Sequence, residues 1–219
     1  MTPDEFDAAP SVGDWRVLLR AAEAVFVAAD FAEASRFIAA VAHRCQELGH
    51  LPDVDLRPDG SVRLRLVSFD QRGLSPVDVE VAQIISAIAA THGLTVRPVS
   101  MSRIEIAIDA IDIDAVLPFW RAVLGYVDEP TPAGSQVTAV IDPARIGPAF
   151  WFQQMDEPRR LRNRIHVDVT VTHDEADARI AAAVDAGGRL VSDASARAFW
   201  VLADPEGNEA CVTTWQDRD

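Results

Sequence analysis

The chain contains no lysine: all 20 of its basic residues are arginine, set against 34 acidic ones. The formal net charge of −14 repels polynucleotides and anionic lipid, so neither nucleic acid nor membrane is expected as a partner. Cysteine is nearly as scarce. Cys45 and Cys211 fall in different halves of the sequence and make no disulfide framework, which fits a reducing compartment. No apolar run approaches the ~18 residues of a membrane span. The first residues, with Asp4, Glu5 and Asp7, lack the basic start of a secretory leader. A cytoplasmic location is expected. What remains is 219 residues, 49% hydrophobic and 25% charged, enough for two domains that each bury a core.

The first half alternates helix and strand signals. Asp30 and Glu33 form a capping-box pair, Ala34, Phe37, Ile38, Val41, Cys45 and Leu48 recur at helical spacing, and Gly49 ends the helix. Strand-like segments over 54–57 and 61–69 flank the turn Pro58-Asp59-Gly60; Val62, Leu64 and Leu66 alternate with Arg63 and Arg65, which makes one face buried. Ser75, Pro76 and Asp78 then open a second helix, carried by Val81, Ile84, Ile85 and Ile88 to Gly93. With a short strand over 24–28, the result is an α+β layer, sheet on one side and helices on the other.

The order of elements, the helix ending Leu48-Gly49-His50-Leu51-Pro52, and Gly73-Leu74-Ser75-Pro76-Val77-Asp78 opening the last helix resemble pterin-4a-carbinolamine dehydratase. That resemblance implies a pterin site in which imidazoles shuttle protons during loss of the 4a-hydroxyl, a task suited to a group titrating near neutrality. Of the imidazoles it implies, His50 is present, while Leu51 and Phe69 stand at the other two positions. Asp78 also matches, and as a first-turn acid it has an equally good structural role. Each positioned acid/base group supplies ~10²–10⁴-fold, so the dehydratase site is read as degenerate, with His50 either its remnant or a residue beyond a helix end.

The second half holds one pattern twice. Arg103-Ile104-Glu105-Ile106-Ala107-Ile108 leads into a helix ending Leu124-Gly125, and Arg164-Ile165-His166-Val167-Asp168-Val169 into a helix ending Ala186-Gly187-Gly188. Strand-rich sequence follows each, over 136–141 and 150–155 in the first copy and at Leu190, 199–203 and 209–215 in the second, with Asp204-Pro205-Glu206-Gly207-Asn208 as a hairpin turn. Two βαβββ units with Phe119-Trp120 in the first helix and Asp204-Pro205 in the last hairpin resemble the glyoxalase-like branch of the vicinal-oxygen-chelate superfamily. The resemblance implies a half-open barrel around a small-molecule pocket and, in metal-dependent members, ligands on the first and last strands of each unit.

Carried over by position, Glu105 and His166 occupy the first strands, Cys211 the last strand of the second unit, and Gln153 a weak position on the last strand of the first. A divalent metal held there would use Glu105, His166 and Cys211. The departure from a carboxylate-and-imidazole set makes the expectation a site with no resident cofactor, His166 lining a metal-free pocket. Trp120, Trp151 and Trp200 offer faces for stacking a planar ligand, or fill the core.

The expected organisation is a dehydratase-like domain over 12–95 and a glyoxalase-like domain over 101–216, the whole α+β. The function read from it is small-molecule binding or catalysis in the second domain. His50, Glu105 and His166 are the catalytic candidates, and Asp78, Trp120, Trp151, Gln153 and Cys211 the ligand-binding ones. A working 4a-hydroxytetrahydrobiopterin dehydratase with pterin as ligand, and a first half kept only for homo-oligomer association, are the alternatives.

Overall fold

The computed structural model describes residues 1–68, 73–97, 103–131, 134–158 and 165–217. The chain divides into two compact units, Met1–Arg103 and Ile104–Asp219.

The first unit is a five-stranded antiparallel sheet carrying helices on one face. Its strands are β1 (Arg16–Leu18), β2 (Ala21–Val27), β3 (Asp53–Leu56), β4 (Ser61–Leu66) and β5 (Thr95–Val96), in the order β1-β2-β4-β3 with β5 also on β2. Its helices are α1 (Pro3–Asp7), α2 (Phe31–Leu48) and α3 (Pro76–Thr91). Helix α2 starts where the sequence places it: Asp30 accepts from the Glu33 amide, and Gly49 closes the helix in the left-handed region at φ 67°. The reciprocal half of that capping box is missing, because Glu33 turns to His92 (2.7 Å) and Arg36 (2.9 Å) instead. Strand β4 alternates as expected, and the inward Val62, Leu64 and Leu66 pack with Phe26, Phe37, Val41, Val81 and Ile85. Helix α1 and strands β1 and β5 carry too short a periodicity to be read from the sequence.

The outer face of this sheet holds a buried charge. Glu23, on the side of β2 opposite the core residues Ala22 and Ala24, is fully buried beneath guanidinium groups. Arg103 Nε donates to it at 2.7 Å, Arg63 Nε at 2.9 Å, and Arg63 makes a second, shorter contact. Arg65 spans toward Asp53 at 3.2 Å, and burial lowers its pKa. A buried anion is tolerated only when surrounded in this manner.

The second unit contains the two βαβββ copies. The first is β6 (Glu105–Ala110), α4 (Ile113–Leu124), β7 (Val127–Asp128), β8 (Ala139–Ile141) and β9 (Ala149–Gln154); the second is β10 (Val167–Thr170), α5 (Ala176–Asp185), β11 (Arg189–Ser192), β12 (Phe199–Ala203) and β13 (Glu209–Thr213). Each copy forms its own mixed sheet, β6-β9-β8-β7 and β10-β13-β12-β11, and neither closes on itself, as the expected half-open arrangement requires. In both, the first strand lies parallel to the last. One core joins the two: Ile108, Phe150 and Phe152 from the first sheet pack with Leu202, Ala210 and Val212 from the second and with Val116, Phe119 and Ala183 from the helices. Gly188 leaves room for the Phe119 ring, which a Cβ would strike.

The turn between β12 and β13 fastens the copies together. Asp204 is fully buried; its Oδ1 accepts the amides of Glu206 (3.0 Å) and Asn208 (2.8 Å), and its Oδ2 accepts Asn208 Nδ2 (2.8 Å) and the indole N–H of Trp120 in α4 (3.0 Å). Gly207 sits at φ +94°, which the turn requires and a side chain resists. From the same turn, the Glu206 carboxylate accepts the amides of Ile111 and Asp112 at 3.0 and 2.7 Å, just ahead of α4. The first copy has a matching Asp-Pro turn: burial raises the pKa of Asp142, but amides of Gly147, Ala144 and Ile146 outweigh it, and the net shift is downward.

Asp204→Ala would leave several buried donors without an acceptor. A loss of about 3 kcal/mol or more in urea denaturation of the full chain is expected; a change below about 1 kcal/mol would show that the turn does not fasten the domain.

Candidate functional site

In the first unit, the helix-ending Gly49 delivers His50 to the start of α3. His50 Nε2 lies 2.7 Å from Asp78 Oδ1, and Asp78 is fully buried. The other carboxylate oxygen accepts from Ser68 Oγ (2.7 Å), the Ser75 amide (2.8 Å) and Ser75 Oγ (3.0 Å). A carboxylate accepts only, so Nε2 is the nitrogen that carries the proton in this bond. Asp78 therefore has both roles open to it: it caps α3 through Ser75 and orients His50. Ser68 and Ser75 are members of this network that sequence reasoning missed. Leu51 is 55% exposed beside it and brings no proton-transfer group. Phe69 lies outside the described residues.

In the second unit, alternate residues of each strand face away from the helices. On the first sheet these are Glu105, Ala107 and Asp109 of β6, opposite Ala149, Trp151 and Gln153 of β9. Glu105, Trp151 and Gln153 are exposed there, Trp151 by 38%. On the second sheet they are Asp168 and Thr170 of β10, opposite Cys211 and Thr213 of β13, with Phe199 and Val201 of β12 beyond. His166 precedes β10 and is exposed.

The candidate residues separate sharply by position. Trp120, expected to stack on a ligand, is instead a core residue, 2% exposed, stacked on Phe150 at 5.7 Å and bonded to Asp204. Trp200 also packs against the core. Glu105 does not join His166 and Cys211. Among the described residues, the histidine, cysteine and carboxylate atoms close enough to share an ion are those of His166, Asp168 and Cys211, within 4.8 Å of one another. Donors of these three kinds, imidazole, carboxylate and thiol, fit a divalent ion of zinc type. Asp168 is the residue the sequence did not bring forward, although it follows His166 by two positions where the chain enters β10, and their side chains meet at 3.1 Å. Cys45, by contrast, is buried in the first core, where burial pushes its thiol pKa up against the nearby Arg44.

No helix among the described residues is long and apolar enough to cross a membrane. The family described as pterin 4 alpha carbinolamine dehydratase matches residues 1–88, and the family described as glyoxalase-like domain matches residues 105–213. A provisionally named pterin-4-alpha-carbinolamine dehydratase of Acidobacterium capsulatum is 36% identical over 78 residues, covering 36% of this chain and 84% of its own length. Among solved structures, a transcriptional coactivator/pterin dehydratase from Brucella melitensis shares 25% identity over 41% of this chain and 97% of its own, with a TM-score of 0.38. A glyoxalase/bleomycin resistance protein/dioxygenase family enzyme from Burkholderia phytofirmans shares 15% over 50% of this chain and 95% of its own, with a TM-score of 0.38. The chain thus belongs, through residues 1–88, to the pterin-4a-carbinolamine dehydratase family, and carries a glyoxalase-like domain over residues 105–213.

Proposed function

We propose that the glyoxalase-like domain is the working half of this protein and binds a small organic molecule across the sheet faces turned away from its helices. The observation that carries the reading is the composition of those faces. A domain that only folded would leave ordinary polar residues there; instead an exposed Trp151 lies beside Gln153 and Glu105, and an exposed His166 beside Asp168 and Cys211. The indole offers a flat apolar surface, Gln153 both donates and accepts, and the carboxylates accept. Such a set favours a planar ligand carrying hydrogen-bond donors or positive charge over an anionic one.

The first domain supports a second reading, a pterin dehydratase, through the bond between the partly buried His50 and the buried Asp78. Loss of the 4a-hydroxyl as water needs one group to take a proton from the pterin ring and another to deliver a proton to the leaving oxygen. His50, oriented by Asp78, can serve one of these steps. Leu51 cannot serve the other, and neither can a phenyl ring at position 69. The first domain is accordingly assigned little turnover.

Two measurements test these assignments. Turnover of a 4a-hydroxytetrahydropterin by the full chain is expected near the uncatalysed rate and insensitive to His50→Ala; a rate ~10²-fold or more above background that His50→Ala removes would restore the dehydratase reading. For the second domain, titration with the planar cation thioflavin T is expected to quench tryptophan emission, with Trp151→Ala weakening binding about tenfold. Equal affinity for the probe in the wild type, Trp151→Ala and Gln153→Ala would remove this face as the binding surface.

A further inference from the structure

The outer face of the first sheet gathers more positive charge than its buried acid requires. Arg63 and Arg65 alternate with the core residues Val62, Leu64 and Leu66, so both point away from the helices, and Arg103 joins them over Glu23. The register sets Arg65 between Glu23 of β2 and Asp53 of β3. One guanidinium balances Glu23 and a second is matched by Asp53, which leaves the third in excess. The neighbouring charges are spent elsewhere: Asp55 pairs with Arg57 at 2.6 Å, and Arg16, across from Glu23 on β1, donates to the carbonyls of Gly13 and Trp15. Burial above all lowers the pKa of Arg65, and the charge of Arg103 pushes it down more than that of Glu23 holds it up.

Each guanidinium carries five N–H groups. Arg63 commits two of its own to Glu23, Arg103 one to Glu23 and Arg65 one to Asp53; the others meet no acceptor among the described residues. The three side chains are 34%, 26% and 25% exposed in that order, so these donors open to solvent. Guanidinium forks set side by side are the arrangement an oxyanion satisfies. A carboxylate has two oxygens and fills at most two forks, whereas a phosphate monoester offers three oxygens to three. We propose that Arg63, Arg65 and Arg103 form a binding site for the phosphate group of a small phosphate monoester, laid over the buried Glu23. The net charge of −14 acts against nucleic acid or an anionic lipid surface, whose charges extend far beyond the patch. A single phosphate group answers instead to the charges within about a Debye length, ~8–10 Å, where the arginines dominate. Glu23, bonded to Arg63 through Oε2 and to Arg103 through Oε1, fixes the guanidinium groups before the anion arrives and so lowers the ordering cost of binding.

The test is titration of methyl phosphate with the full chain at low ionic strength, followed by phosphorus NMR. A saturable shift is expected, and equimolar acetate should leave it in place. Arg65→Gln and Arg103→Gln should each weaken binding about tenfold or more. Arg65 approaches Glu23 only at 3.9 Å, so Arg65→Gln should keep a circular dichroism melt close to the wild type and carries the test even if Arg103→Gln unfolds. Vesicles of phosphatidic acid should not sediment the chain at the same salt. Absence of a saturable shift in the wild type overturns the site, and so does wild-type affinity in a folded Arg65→Gln. Displacement by equimolar acetate overturns the assignment to phosphate, and sedimentation with the vesicles overturns the assignment to a small molecule. All three arginines belong to the first domain, so this site stands or falls apart from probe binding at Trp151.

Discussion

The second domain depends on a single buried carboxylate. Asp204 receives four hydrogen bonds, three that shape the hairpin turn of the second copy and one from the indole of Trp120 in the helix of the first. A buried carboxylate is costly unless every lone pair is used, and here all are. The same turn reaches further through Glu206, whose carboxylate meets the first free amides before α4, where negative charge is favoured. Two halves that each form a separate sheet are thereby held in one core.

In the first domain, a carboxylate of the same kind has been put to a different use. Asp78 saturates one oxygen with Ser68 and Ser75 and turns the other to His50, fixing which imidazole nitrogen is protonated. The imidazole is thus held in place, while the neighbouring Leu51 carries no group that exchanges a proton.

Much of this was legible in the sequence, and the reasons for the rest are physical. Long periodic elements announce themselves: α2 and α3 fall within a residue or two of where spacing and caps place them, and β4 starts where expected but ends at Leu66, short of the expected 69. Two- and three-residue strands such as β1, β5 and β7 carry no periodicity and exist only through their partners. Trp120 and Trp151 look alike in sequence, yet one is sealed by a hydrogen bond to a turn 84 residues away and the other lies open, a difference set by tertiary packing alone. Positional equivalence between the copies drew attention to Glu105, whereas the actual neighbours of His166 are fixed by strand register, which sets Asp168 beside Cys211.

The parallel pairing of first and last strands also governs when the second sheet can come into being. Among the described residues, strand β10 pairs with β13 alone, and every residue of the second sheet must be available before that pair forms. Pairings of such long sequence separation form late, because the loop between them must be closed before any contact repays it. As the chain emerges from the ribosome, the first copy can lay down its own sheet while His166 and Asp168 still lack the strand that carries Cys211. The pairing that sets Asp168 opposite Cys211 is therefore among the last this chain makes, and a chain cut short before residue 209 lacks it.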